Sequence, residues 1–526
     1  MELRFLSLDP VILVSSLLCL SAYALLVLVA RSRSNCGARI SKLPPGPRAL
    51  PLIGTMHHVA RAARRAPGGG TQRALRELAR VHGPLMGLRM GQLDLVVASS
   101  REAAEAILRT HDRNFAFRPP LLVGQILAYG CSDMVFAPYD AYYKQLRRIC
   151  LTELLGPKRV RAFASIRRDE VAKLVEDITA AAAAAAGPKP SAVNLSRRLT
   201  TMTNAVISRA AFGQQNAQHH RFLDVAKAAV ETAAGFSIAD AFPSFKFLDV
   251  IFGLRARLLK VRKELDEIFD EIIEQHQQKK SNAGRDGEDE EDLIDLLLRL
   301  KDHGDLEIPI SIDNIKAVIL DLFLAGTDTS SALLQWAMSE LIRNPDAMAK
   351  AQKEVREALK GTDGIVEEAQ VNELNYLRMV VKEALRLHPA VPLLIPRVCQ
   401  STCQVEGYEI SPGTRAVVNV WAIGRDPKYW TEPDRFMPER FAEPGAADYK
   451  GTSFELLPFG SGRRMCPGMV FALAGVFVSL AELLRRFDWR MPDGMTPEEL
   501  SMEETSLAPA ERTTKKIDFR SGRNRW

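Results

Sequence analysis

Over most of the chain apolar residues recur at the three- and four-residue spacing of a helix with one buried face, and only short stretches read as strands. Residues 313–343 predict a long apolar helix, 374–387 a second and 470–487 a third near the C-terminus. A strand pair is predicted at 85–90 and 93–98, turning at Gly91-Gln92, with further short strands at 404–410 and 415–420. The alanine run 180–186, closed by Gly187-Pro188, ends a helix, and the acidic stretch 285–292 is a solvated loop. No internal repeat is present. The pattern predicts a fold that is mainly α with small β-sheets.

One segment stands apart from this pattern. Residues 11–30 carry no charge, and a helix of that length spans about 30 Å, the thickness of a bilayer's hydrocarbon core. A cleaved signal peptide has a shorter apolar region, and a buried helix would not sit beside a purely basic flank, so the segment reads as an uncleaved anchor. Glu2 and Asp9 precede it while Arg31, Arg33, Arg39 and Lys42 follow, which leaves the C-terminal bulk in the cytosol. The next segment, Leu43-Pro44-Pro45-Gly46-Pro47-Arg48, cannot continue a helix and forms a stiff connector. The expected division is therefore an anchor over 1–30, a basic and Pro-rich connector over 31–48, and one body over 49–526.

Composition narrows the class. With 526 residues, 47% hydrophobic and 25% charged, the chain can bury a large core and is neither disordered, collagen-like nor a disulfide-stapled miniprotein. The net charge of +6 is concentrated between residues 31 and 65, where eight basic residues occur with no acidic one. A nucleic-acid binder would spread its basic surface over the folded body, so the excess points to a membrane surface and away from nucleic acid. The seven cysteines are scattered, form no Cys-x-x-Cys pair and show one close spacing, Cys399 to Cys403. That usage fits a reducing compartment and argues against a zinc ribbon.

Candidate chemistry gathers near the C-terminus, in Phe459-Gly460-Ser461-Gly462-Arg463-Arg464-Met465-Cys466-Pro467-Gly468. Cys466 lies where a helix begins, so unpaired backbone N–H groups and the helix dipole favour its thiolate. The spacing F-x-x-G-x-R-x-C-x-G resembles the haem-binding loop of cytochrome P450, and its five fixed positions would recur by chance in about one chain of this length in ten thousand. The resemblance implies Cys466 as the axial ligand of haem iron and Arg464 as the partner of a haem propionate, with Phe459 and Arg397 also at the haem.

Three further motifs follow the same family's order. Glu383-Ala384-Leu385-Arg386 is E-x-x-R on a helix, and with Pro438-Glu439-Arg440-Phe441 downstream it looks like the family's Glu–Arg–Arg network. Glu383, Arg386 and Arg440 are accordingly structural. Ala325-Gly326-Thr327-Asp328-Thr329-Ser330 places poor helix formers inside the long helix, which a distorted turn making room for dioxygen would explain. The resemblance makes Asp328 and Thr329 the proton relay. Where the family usually has W-x-x-x-R, this chain has Tyr143 and Arg147; Arg147 matches a propionate contact, and the Tyr143 phenol can still donate a hydrogen bond.

Together these motifs look like a plant microsomal cytochrome P450 of the large specialised-metabolism clan. The resemblance implies a cytochrome P450 fold enclosing haem b, a single-pass anchor in the endoplasmic reticulum membrane, and electrons from NADPH through a flavoprotein, NADPH-cytochrome P450 reductase, with cytochrome b5 as a further partner. The reaction implied is O2-dependent hydroxylation of a lipophilic metabolite, a terpenoid ahead of an aromatic, indolic or phenylpropanoid one. Family position suggests a pocket lined by Val123, Ile126, Leu324, Ala325, Val391, Leu394, Leu507 and Ala508. Asp321 falls on the stripe of Ala325 and Thr329; it is expected either to find an intraprotein partner or to anchor the substrate. Lys144, Arg148, Lys158, Arg159 and Arg463 are a candidate docking face for the reductase. Two other readings are a haem-thiolate isomerase or dehydratase, against which the Asp328-Thr329 pair argues, and a membrane-anchored haem sensor or carrier.

Overall fold

The computed structural model describes residues 43–66, 69–184, 192–213, 218–233, 238–245, 253–282, 291–303, 306–491, 496, 499–500, 502 and 518–523. The expected anchor at 11–30, most of the acidic loop, and Leu507 and Ala508 lie outside them. Helices dominate. The long apolar helix runs unbroken over Ile312–Arg343, about 48 Å at 1.5 Å per residue. Its start is fixed by a reciprocal cap: Ser311 Oγ accepts the Asn314 N–H (3.2 Å) and Asn314 Oδ1 accepts the Ser311 N–H (2.8 Å). Apolar on nearly every face, it is buried between Leu195–Phe212 and Met469–Arg486. Among the described residues it is the one helix long and apolar enough to cross a bilayer, and it is packed into the core.

The strand pair forms as predicted, Leu85–Met90 against Leu93–Ala98 with Leu85 opposite Ala98. Leu93–Ala98 pairs in parallel with Arg415–Val418, which carries Arg397–Val398 on its other edge. The sequence is corrected at two places. The single strand expected at 404–410 is a hairpin of Cys403–Val405 and Tyr408–Ile410, because Glu406 and Gly407 both adopt positive φ (48° and 81°) and turn the chain. The strand expected to reach 420 stops at Val418, where Asn419 Oδ1 accepts the Ala422 N–H (3.1 Å) and caps the short helix Val420–Ile423. The end of the Pro-rich connector is also not a free spacer. The Pro45 carbonyl accepts the Gly87 N–H (3.0 Å), joining residues 43–48 to the first sheet.

Candidate functional site

A cavity of about 260 Å³ lies between the central helix Ile312–Arg343 and the loop 459–468; at roughly 30 Å³ per water it is sized for an organic group. The helix contributes Asp321, Leu322, Ala325, Gly326, Thr329 and Ser330 to its wall. Two of these residue types have local explanations. A Cβ on Gly326 would stand 2.7 Å from Ile207 Cδ1, so the glycine lets Leu195–Phe212 pack closely against the central helix. The threonine hydroxyls turn back on their own helix, Thr327 Oγ1 donating to the Phe323 carbonyl (3.0 Å) and Thr329 Oγ1 to the Ala325 carbonyl (2.6 Å). The expected distorted turn is absent, the helix continuing through these residues. Asp328 and Leu324 do not line the cavity: this helix presents the pairs 321–322, 325–326 and 329–330 to it, and each of the two falls one residue before a pair, about 100° outside the stripe.

The opposite wall is the cysteine loop. The Cys466 N–H donates to the Phe459 carbonyl (3.0 Å) and the Met465 N–H to the Gly462 carbonyl (3.1 Å), closing the loop on itself. Gly462 is required there: its φ is +72°, and a Cβ would stand 2.5 Å from both Asp112 Oδ1 and the Leu108 carbonyl oxygen. Cys466 is exposed, and the space it faces is the cavity. Burial raises its thiol above the ordinary value, while the Gly468 and Met469 N–H groups and the Arg147 guanidinium pull the other way. The helix terminus alone predicted a lowered value; enclosure by protein outweighs it.

One corner of the cavity is cationic, with Arg118, Arg147, Arg397 and Arg464 all on its lining. Arg464 donates from Nε to the Ala116 carbonyl (2.7 Å), from Nη1 to that of Met134 (3.3 Å) and from Nη2 to that of Ala137. Three of the five guanidinium donors are thereby spent on backbone, where the sequence assigned the group to a ligand alone. Arg147 Nη1 donates to the Met465 carbonyl (2.9 Å), and Arg397 pairs with Asp112 (3.3 Å) and donates to the Ser461 carbonyl (2.9 Å). Tyr143 gives its hydroxyl proton to the Arg463 carbonyl (2.9 Å) and accepts from Arg147 Nη1 (3.4 Å), so it offers the site its ring and an acceptor but no free donor. Burial lowers the Arg118 and Arg464 guanidiniums and takes Arg397 down to about 10; Arg397 and Arg464 further lower Arg118. Among the described residues, Asp112 is the one carboxylate ion-paired with any of the four. The corner therefore holds more buried positive charge than the protein neutralises. A soft sulfur facing an apolar cavity, with that excess charge at one edge, fits a metal macrocycle carrying carboxylates.

Val391, Leu394 and Phe459 line the cavity as expected, whereas Val123 and Ile126 do not. Those two sit on the short helix Leu122–Ile126 and belong to the surrounding core, with the Ile126 carbonyl bound by Arg262 (2.8 Å). Asp321 is on the wall, but its Oδ2 accepts the N–H groups of Met134 (2.7 Å) and Val135 (3.1 Å), so the carboxylate has intraprotein partners. Glu383, Arg386 and Arg440 stand away from the cavity. The Glu383 carboxylate, 0% exposed, takes two bonds from Arg386 (2.7 Å each) and one from Arg440 (3.0 Å), and Arg386 Nη1 reaches the Gly424 and Pro433 carbonyls (2.6 Å each). Of the candidate docking face, Lys144, Arg148 and Lys158 are exposed. Arg159 is tied to Glu291 (2.9 Å), and Arg463 to Asp112 and Tyr139 (2.8 Å each).

Sequence reasoning missed Arg118, Asp112 and Asp133. For Arg118 a signal existed, since Pro119-Pro120 directly after it holds the chain extended.

A family model described as Cytochrome P450 matches residues 44–515. Among similar proteins are desmethyl-deoxy-podophyllotoxin synthase of Sinopodophyllum hexandrum, 47% identical over 91% of each chain, and premnaspirodiene oxygenase of Hyoscyamus muticus, 46% identical over 93% of this chain and 94% of that one. The 5-epiaristolochene 1,3-dihydroxylase of Nicotiana tabacum is 43% identical over 93% and 95%. A solved zebra fish cytochrome P450 structure with abiraterone superposes with a TM-score of 0.70 at 24% identity, covering 87% of this chain and all of that one.

Proposed function

Because the chain belongs to the cytochrome P450 family of haem-thiolate monooxygenases, we propose that it hydroxylates a lipophilic plant specialised metabolite, a terpenoid, at the cavity between Thr329 and Cys466. The observation that carries this is the Cys466 sulfur opening onto an aliphatic cavity across from Ala325 and Thr329. The Cys466 thiolate would hold haem here, and the group when bound would supply activation of O2. Arg118, Arg147, Arg397 and Arg464 supply the charge that its carboxylates need. Thr329, whose hydroxyl proton is directed at the Ala325 carbonyl, keeps lone pairs with which to accept and pass a proton at the cavity wall. Asp328 beside it is the source that replenishes that proton from the adjoining helix face. Leu322, Val391 and Leu394 exclude water and select an apolar substrate.

The terpenoid preference rests on that aliphatic lining and on relatives that act on premnaspirodiene and 5-epiaristolochene. An aromatic substrate is the second reading, favoured by the podophyllotoxin-related relative. Electrons come from NADPH through a reductase docking on Lys144, Arg148 and Lys158, with cytochrome b5 as an auxiliary donor. Residues 11–30 hold the protein in the endoplasmic reticulum membrane.

The test is microsomal protein with reductase and NADPH. The dithionite-reduced, CO-bound form is expected to show the red-shifted Soret band of thiolate ligation, lost in Cys466→Ala, and a terpenoid panel is expected to yield products carrying one oxygen from O2. A histidine-like CO spectrum would overturn the haem-thiolate assignment. Turnover of aromatic substrates alone would establish the second reading, and an intact spectrum with no NADPH-dependent product from any panel would indicate a haem carrier.

A further inference from the structure

Asp133 is the most enclosed carboxylate beside the cavity, with 0% of its surface exposed. Its Oδ1 accepts the Phe136 N–H (2.9 Å), and among the described residues no N–H or O–H donor reaches Oδ2. Facing it is Asp321 on the central helix, whose Oδ2 accepts the N–H groups of Met134 and Val135, the two residues that follow Asp133, which brings the two carboxyl groups side by side. Two carboxyl groups enclosed together are stabilised by a single proton between them rather than by two charges. Such a proton would also supply the partner that Asp133 Oδ2 otherwise lacks.

The pair sits at a junction. While Asp321 Oδ2 accepts the Met134 and Val135 N–H groups, the carbonyls of the same two residues are held from the other side: Arg464 Nη1 donates to Met134 (3.3 Å) and Arg118 Nε to Val135 (3.0 Å). Residues 133–135 therefore bridge the central helix to the cationic corner and to Arg464, two positions before Cys466. Met134 and Val135 themselves line the cavity.

We propose that Asp133 is a positioning residue: by sharing one proton with Asp321 it fastens residues 133–135 to the central helix, and so sets the cavity wall and the placement of Arg118 and Arg464. The geometry is independent of the reaction; only its consequence for the substrate rests on the monooxygenase reading. Burial, and then each carboxyl's effect on the other, raises Asp321 well above the carboxylate range, and burial raises Asp133. The charged or titratable groups around them are Arg118 and Arg464 beyond the bridge, Tyr142, Cys131 next to Asp133, and Cys150 near Asp321. The two cations favour loss of the shared proton, and burial and mutual repulsion resist it. Once it is lost, two adjacent carboxylates repel and the bridge loosens.

The test is amide hydrogen exchange of the full-length holoenzyme across the neutral to mildly alkaline range, corrected for intrinsic exchange and read at Met134 and Val135. Wild type is expected to lose protection as pH rises. Asp133→Asn, whose side-chain N–H donates to Asp321 at every pH, is expected to hold protection flat. Asp133→Ala is expected to exchange at least about tenfold faster throughout, since each tenfold corresponds to roughly 1.4 kcal/mol. The spectral Kd of the probe 1-phenylimidazole is expected to follow the same three patterns. An Asp133→Asn curve that falls with wild type, or Asp133→Ala amides as protected as wild type, would overturn the proposal. If Asp133→Ala fails to accumulate, wild type and Asp133→Asn decide between these outcomes. A failure of the monooxygenase reading would show instead in the wild-type CO spectrum, with the exchange results unaffected.

Discussion

The Arg464 guanidinium carbon lies 3.7 Å from the centroid of the Tyr143 ring. The family's usual Trp at this position is replaced without losing an aromatic face, and the Tyr143 hydroxyl adds a bond to the Arg463 carbonyl. Arg464 is thus held by an aromatic ring and three carbonyls together.

This arrangement separates the two parts of the tyrosine. Tyr143→Phe keeps the ring and is expected to cost about 1 kcal/mol with haem content unchanged. Tyr143→Ala removes a fully buried ring, is expected to cost about 3–5 kcal/mol, and should release haem at lower urea. Urea titrations followed by the Soret band check both; equal behaviour of the two variants would mean that the ring does not hold Arg464.

Gly326→Ala is expected to lose about 1 kcal/mol of stability, the crowding of Ile207 Cδ1 exceeding the gain in helix propensity. Ile207→Val deletes the crowded atom, so the double variant should be more stable than the sum of the singles by about 0.5–1 kcal/mol. Simple additivity in a double-mutant cycle would show that the two side chains do not meet.

Thr329→Val keeps the β-branched shape and loses the hydroxyl. Substrate binding and haem content are expected to be unchanged, while product formed per NADPH falls about tenfold or more and peroxide rises in its place. Stoichiometry of NADPH, peroxide and product measures this, and unchanged coupling would remove Thr329 from proton transfer.

His276 links stability to pH. Its Nδ1 lies 2.7 Å from the Ile272 carbonyl and its Nε2 2.8 Å from Asp292 Oδ2, so only the imidazolium satisfies both acceptors. Burial opposes the charge, but the Asp292 bond and charge together leave the group above its ordinary value. A raised value in the folded state means full stabilisation below about pH 6.5, lost as pH rises through the folded value, with a slope of at most about 1.4 kcal/mol per pH unit. The urea midpoint should fall accordingly between neutral and mildly alkaline pH, and His276→Gln should remove that component of the slope.

What the sequence made legible was local. The cysteine loop could be read because its turn chemistry is contiguous, with Gly462 meeting a positive φ and a close approach. Asp321 could be read from helical period alone. Its partners could not, since the Met134 N–H that it binds lies 187 residues earlier, a contact no periodicity reports. Family position points to Leu324, whereas the cavity stripe of this helix runs through 321, 325 and 329. The hairpin inside 404–410 was missed because its β-rich residues hid the Glu406-Gly407 turn. The helix dipole at Cys466 was legible, and the burial that outweighs it was not.

The Asp112 carboxylate has a history written in the order of synthesis. It binds Arg397, 285 residues later, and both the backbone and the side chain of Arg463, 351 residues later. At roughly 5–20 residues per second, the ribosome delivers the second partner on the order of half a minute after Asp112 itself. Until Arg397 emerges, a carboxylate destined for burial has no cation to receive it, and burying it alone would cost several kcal/mol. Arg397 supplies the first ion pair and Arg463 the second, so this corner is neutralised in two stages as the C-terminal part of the chain arrives. A nascent chain stalled before Arg463 can form the Arg397 pair but lacks the backbone and side-chain bonds that Arg463 makes to Asp112, so the cysteine loop is the part of the site that the residues before it cannot fasten by themselves.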